Sequence, residues 1–137
     1  MAKNSKILKW SLLPGVIYFL GVGIVHMAGI KIPFFYIYFN IPSYGYQDKI
    51  ISFLSFGWAI FFLTAFMNPI KNINLIKSIL IVGFCAIIGL GIINLSTNFR
   101  DLAPASNVFI FWIELLFLSC YLIWLCVFFW KAKKTIP

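Results

Sequence analysis

Acid is what this sequence has least of: Asp48, Asp101 and Glu114 are its three carboxylates in 137 residues, and His26 is its one histidine. Two histidines are normally needed to hold a haem between helices and this chain has one, which with scattered carboxylates leaves no metal-ligand spacing of the H-x-x-x-H kind. There is no Gly-rich phosphate loop, no G-x-S-x-G nucleophile elbow and no HExxH, so the sequence names no catalytic class and no cofactor. Cys85, Cys120 and Cys126 lie inside apolar runs without forming a CxxC pair. That argues against thiol-disulfide exchange and predicts that they pack as small apolar side chains.

Charge as a whole is scarce too. Charged residues make up 10% of the chain and hydrophobic ones 63%, with a mean hydropathy of +1.01; soluble domains carry about 25% charged and about 45–50% apolar residues. The composition is that of an integral membrane protein. A bilayer core takes about 20 apolar residues per helical crossing, so the chain accommodates four crossings and no separate soluble domain. The net charge of +8 sits in lysines that flank apolar runs, which is an orientation signal and argues against a nucleic-acid partner.

The apolar runs predict an all-α, four-transmembrane-helix bundle, a single membrane domain over 1–137 with helices over about 10–30, 49–67, 75–96 and 105–130. The first run follows Lys3, Lys6 and Lys9 like a secretory signal, but three more runs follow it and no A-x-A-like cleavage site lies near Val25 to Gly29; it reads as a retained helix. Asn68-Pro69 ends the second run, and Pro104 suits the start of the fourth. Lys3, Lys6, Lys9, Lys71, Lys77, Lys131, Lys133 and Lys134 fall on one side, against Lys31, Lys49 and Arg100 on the other. That asymmetry predicts both termini in the cytoplasm, and Trp10, Trp124 and Trp130 fall near the same inner interface.

The one long connection, 31–47, reads KIPFFYIYFNIPSYGYQ. It is predicted to lie along the outer interface, either as an aromatic belt segment or as a lid over a site. Ionisable groups within membrane runs are costly and therefore informative. His26 lies roughly 6 Å inside the outer end of the first helix and Glu114 roughly 13 Å inside the start of the fourth, at 1.5 Å per residue. Both fall in the outer half. His26 shares a helical face with Gly15, Phe19, Gly23 and Gly29, a glycine-lined face suited to close helix contact. Asp48, Ser52, Ser55 and Ala59 form a small and polar stripe on the second helix. Gly83, Ala86, Leu90 and Asn94 share a face of the third, and Glu114 shares one with Leu118, Tyr121 and Leu125. The expectation is a polar pocket of His26, Glu114, Asp48, Ser52, Ser55 and Asn94, opening outward past a mouth of Arg100, Asp101, Tyr44 and Tyr46. The competing reading is that these groups bond one another as interhelical glue.

Four short-looped helices with an enlarged first outer loop make a layout that resembles small bacterial membrane families of the DoxX-like kind. The resemblance is one of layout and carries no residue over. Abundant Ile, Asn, Lys and Phe fit an AT-rich bacterial genome and hence a bacterial cytoplasmic membrane. Three functions compete. The first is a non-catalytic accessory or assembly subunit, with other membrane subunits or a second copy of the chain as partners besides the bilayer. The second is an outward-facing enzyme or lipid or small-ligand binder built on His26 and Glu114. A small proton or solute transporter ranks last, because it needs a polar path through inner halves that have almost no polar side chains and shows no inverted repeats.

Overall fold

A computed structural model describes residues 3–134; the first two and last three residues of the expected 1–137 domain lie outside the described residues. The described chain is helical without a strand: α1 (Lys3–Ala28), α2 (Gly45–Met67), α3 (Ile73–Ser96), the short α4 (Phe99–Leu102) and α5 (Val108–Lys133). Four of these, α1, α2, α3 and α5, are long and apolar enough to cross a membrane.

Several boundaries differ from the sequence expectation, for identifiable reasons. α1 starts at Lys3 rather than 10, because lysines are good helix formers and end a span without ending the helix. α2 begins at Gly45, four residues ahead of the apolar run, which makes Asp48 a first-turn acid, a position favoured by the helix dipole. The fourth long helix does not start at Pro104. Asn107 caps it, its side-chain oxygen accepting from the Phe109 N–H at 3.2 Å. The short α4 was not foreseen. Cys85 and Cys120 are exposed on helix faces, and Cys126 is half-buried.

α1 lies beside α2 and α5, and α3 closes the ring against the other sides of α2 and α5. Neighbours run antiparallel. The start of α1 meets the end of α2 where the rings of Trp10 and Phe66 lie 5.6 Å apart, and it meets the end of α5 where Trp124 Nε1 donates to Ser11 Oγ at 2.8 Å. Helical spacing sets what each helix buries. On α2 the buried positions are Asp48, Ser52, Ser55, Ala59, Phe62 and Ala65, one stripe at intervals of three and four. Where α1 begins and α5 ends, the interior is a cluster built on Leu8, Leu12, Phe62, Ile76, Leu125 and Phe129.

Pro14 interrupts α1 and leaves the Trp10 carbonyl without its helical donor. The next carbonyl, that of Ser11, takes a 2.9 Å bond from the Tyr121 hydroxyl of α5. The Tyr121 hydroxyl thus ties α5 to α1 one residue beyond the orphaned carbonyl. The burial is uneven: 39% of the apolar window of α1 is inside the bundle but only 17% of that of α3, so α3 is the peripheral helix.

Candidate functional site

At the end of the bundle where α1 meets α2, residues 31–44 do not form a helix. They fold as turns, with Tyr36 N–H donating to Ile32 O and Ile41 N–H to Tyr38 O, both at 2.9 Å. Their side chains enter the bundle and reach each of the long helices. Phe35 stacks on Tyr18 of α1, and Tyr36 donates to Asp48 of α2. Tyr38 donates to Asn94 Oδ1 of α3 at 3.0 Å and abuts Phe111 of α5. The connection closes this end like a stopper.

Two polar constructions hold it. The first centres on Asp48. Its Oδ1 faces His26 Nδ1 at 3.3 Å and accepts from the Tyr36 hydroxyl, while Oδ2 accepts from Ser43 Oγ at 3.0 Å. The Tyr36 and Ser43 hydroxyl oxygens also lie against each other. The His26 and Tyr36 rings stack with centroids 3.9 Å apart and planes 19° from parallel. His26, Tyr36 and Asp48 are all buried, and Lys31 braces the turn by donating to Ile41 O at 2.6 Å. One turn deeper, Ser52 donates to the Gly23 carbonyl at 2.7 Å. That bond needs close approach of α1 and α2, which Gly23 allows: a Cβ there would stand 2.5 Å from the Phe56 ring.

The second construction centres on Glu114. Its Oε1 accepts the Phe34 N–H at 2.8 Å. Phe34 has φ +68°, a left-handed conformation that is strained for a bulky residue; there its N–H meets the carboxylate. The other oxygen, Oε2, is buried and has no hydrogen-bond partner, although Glu114 is only 2% exposed. Glu114 lines a crevice of about 430 Å³ between α1 and α5, together with Pro14, Tyr18, Phe34, Phe117 and Tyr121. Pro14, Phe34 and Phe117 are exposed along the rim, so the crevice faces sideways. Leu118, Tyr18 and Tyr121 separate it from a second, apolar cavity of about 210 Å³ at the centre of the bundle.

The six residues expected to converge are thus divided. His26 and Asp48 are joined directly, Ser52 lies next to them, and Ser55 is buried with no side-chain hydrogen bond among the described residues. Asn94 is bonded to Tyr38, and Glu114 faces the crevice; no hydrogen bond or ion pair joins Glu114 to His26 among the described residues. The expected mouth residues stay outside. Tyr44 and Tyr46 are exposed and stack on each other; Arg100 and Asp101 are exposed on α4, where Asp101 accepts from Asn98 Nδ2 at 2.8 Å. Sequence reasoning missed Tyr18, Phe34, Tyr36 and Ser43 as members of these constructions. For Phe34 and Tyr36 the one signal was the density of tyrosine and phenylalanine in 31–47; Tyr18 and Ser43 had none.

Outside the spans, two hydroxyls have perturbed acidity. Burial, with the Glu114 carboxylate nearby, pushes the Tyr38 pKa up to about 12. Burial and its bond to Asp48 also raise that of Tyr36. Both hold their protons at neutral pH and act as donors. No group of three metal-ligating side chains stands together among the described residues. No protein-family model, curated protein or solved structure matches the chain.

Proposed function

We propose that this chain is a small bacterial cytoplasmic-membrane protein, with both termini inside and the 31–47 connection outside, that holds a small amphiphilic molecule in the Glu114 crevice. The observation that carries the reading is the unpartnered, buried Oε2 of Glu114 beside a cavity whose rim is exposed. A buried polar atom without a partner costs free energy, and a ligand donor would remove that cost. The volume lies within the range of small-molecule sites, about 300–1,000 Å³. Binding is favoured over catalysis because His26 and Asp48, which could exchange protons, line neither cavity and are engaged in holding the connection. The lysine asymmetry supports the orientation.

Lipid extraction tests this. Protein purified in mild detergent should retain an amphiphile detectable by mass spectrometry, and Leu118→Trp, which fills the wall between the cavities, should lose it while keeping its helical content. Equal retention by both proteins would end the reading. A second reading, an accessory subunit packed against another membrane chain, is favoured by the little-buried α3, where a Cβ at Gly89 would meet open space. Cross-linking from α3 in whole membranes tests it.

A further inference from the structure

The crevice is an unusual surface for a lone carboxylate. Apart from Glu114, the polar atoms its lining side chains bring are the hydroxyls of Tyr18 and Tyr121. The Tyr121 hydroxyl is committed to Ser11 O, whereas that of Tyr18 makes no hydrogen bond among the described residues. What remains for a ligand is one carboxylate oxygen, one phenol and the faces and edges of Tyr18, Phe34, Phe117 and Tyr121. Aromatic rings around an anionic acceptor are the chemistry that receives an organic cation: the carboxylate takes the charge and an N–H, and the ring faces attract what the carboxylate does not cover. An anionic head would meet the carboxylate with like charge and without a lysine or arginine in the lining. The apolar remainder of the crevice suits a hydrocarbon tail, and its exposed rim lies on the flank of the bundle, the side from which a molecule dissolved in the bilayer would arrive.

Resting on the crevice reading above, we infer that the ligand is a cationic amine with an apolar tail, its N–H donating to Glu114 Oε2. Phe34 completes the receptor. Its N–H holds Oε1 and leaves Oε2 without a partner at the crevice wall, while its ring, 5.6 Å from that of Phe117, borders the rim. The same amine chemistry occurs in a free long-chain amine and in the headgroup of an ethanolamine lipid.

Photolabelling separates the possibilities. Wild-type protein in phosphatidylcholine nanodiscs, whose headgroup has no N–H, is exposed to a diazirine-bearing dodecylamine or to the matching dodecanol. The amine should label the peptides containing Tyr18 and Phe117 at least about tenfold more efficiently than the alcohol, the difference expected for a charge-assisted hydrogen bond. Glu114→Gln keeps an oxygen for the Phe34 N–H and should abolish that preference. Suppression of labelling by phosphatidylethanolamine in the disc assigns a lipid headgroup, and suppression by unlabelled dodecylamine alone assigns a free amine. Alcohol labelling as efficient as amine labelling at these peptides would overturn the amine assignment and leave the crevice reading standing. Absence of labelling there by either probe would overturn both. The comparison of probes on the wild-type protein decides without depending on how well any variant folds.

Discussion

The two halves of this bundle are held by different means. Where α1 begins and α5 ends, the interior is aliphatic and aromatic packing around Leu12, Phe62, Ile76 and Leu125. At the other end a non-helical connection is fixed by the hydrogen bonds it donates to Asp48, Asn94 and Glu114, each on a different helix. Lipid chains are as apolar as leucine, so packing in a membrane gains little from the hydrophobic effect and rests on dispersion and close fit. Non-helical backbone tucked among membrane helices survives only when protein shields it and satisfies its polar groups. The connection therefore requires polar partners that the packed half can do without.

Removing Asp48 should break this contrast most severely. Three side chains depend on that carboxylate, and at about 0.6–1.7 kcal/mol per interhelical hydrogen bond Asp48→Ala should cost about 2–5 kcal/mol. Reversible denaturation in mixed micelles measures the loss, and proteolysis within 31–44 should report that the connection detaches first. Leu12→Ala, though fully buried, should cost less than about 2 kcal/mol, because its surroundings exchange packed protein for lipid. A larger loss for Leu12→Ala than for Asp48→Ala would reverse the comparison.

A medium effect should separate the tight α1–α2 seam from the loose periphery. Gly23→Leu drives a side chain into Phe56 and pulls the Gly23 carbonyl away from Ser52, at about 1–3 kcal/mol for overpacking. Gly89→Leu on α3 projects into open space and should be silent in the same assay. Equal losses at the two glycines would mean that α3 is as closely covered as α1.

The seam was the most legible part of the sequence. Spacing alone placed Asp48, Ser52, Ser55 and Ala59 on one face, and all four are buried; hydropathy alone gave the four long spans. Depth arithmetic located His26 and Glu114 in the same half but could not tell which neighbour each would face. Azimuth depends on how helices pack around the ring, and there the partner of His26 is Asp48, on the adjacent α2. The stopper was illegible for another reason. Residues 31–44 have no period, so no rule of three and four or of two assigns their side chains to an inside or an outside. Tyr36 is buried and Tyr44 two turns later is exposed, a difference set by the bonds of Asp48 and invisible in a run of similar residues. Crevice residues Tyr18 and Phe34 acquire their meaning only once that run is folded.

The smallest effect tests whether the stopper is held by protonated phenols. Tyr38→Phe deletes one bond to Asn94 and should cost about 0.6 kcal/mol near neutral pH. Its alkaline behaviour is more telling. The unfolded phenol titrates near pH 10, whereas folding raises Tyr38 to about 12 and raises Tyr36 as well. The folded state therefore binds more protons than the unfolded state in that interval. Its stability is complete below pH 10 and declines as the pH climbs through the folded value. Between pH 10 and about 12 the wild type should lose stability and expose 31–44 to protease. Tyr38→Phe should show a shallower decline over that range, retaining only the part due to Tyr36 and any other buried phenol. Identical slopes for the two proteins would show that the Tyr38 hydroxyl is not buried where the connection meets α3, and the packed and polar halves would then have to be divided elsewhere.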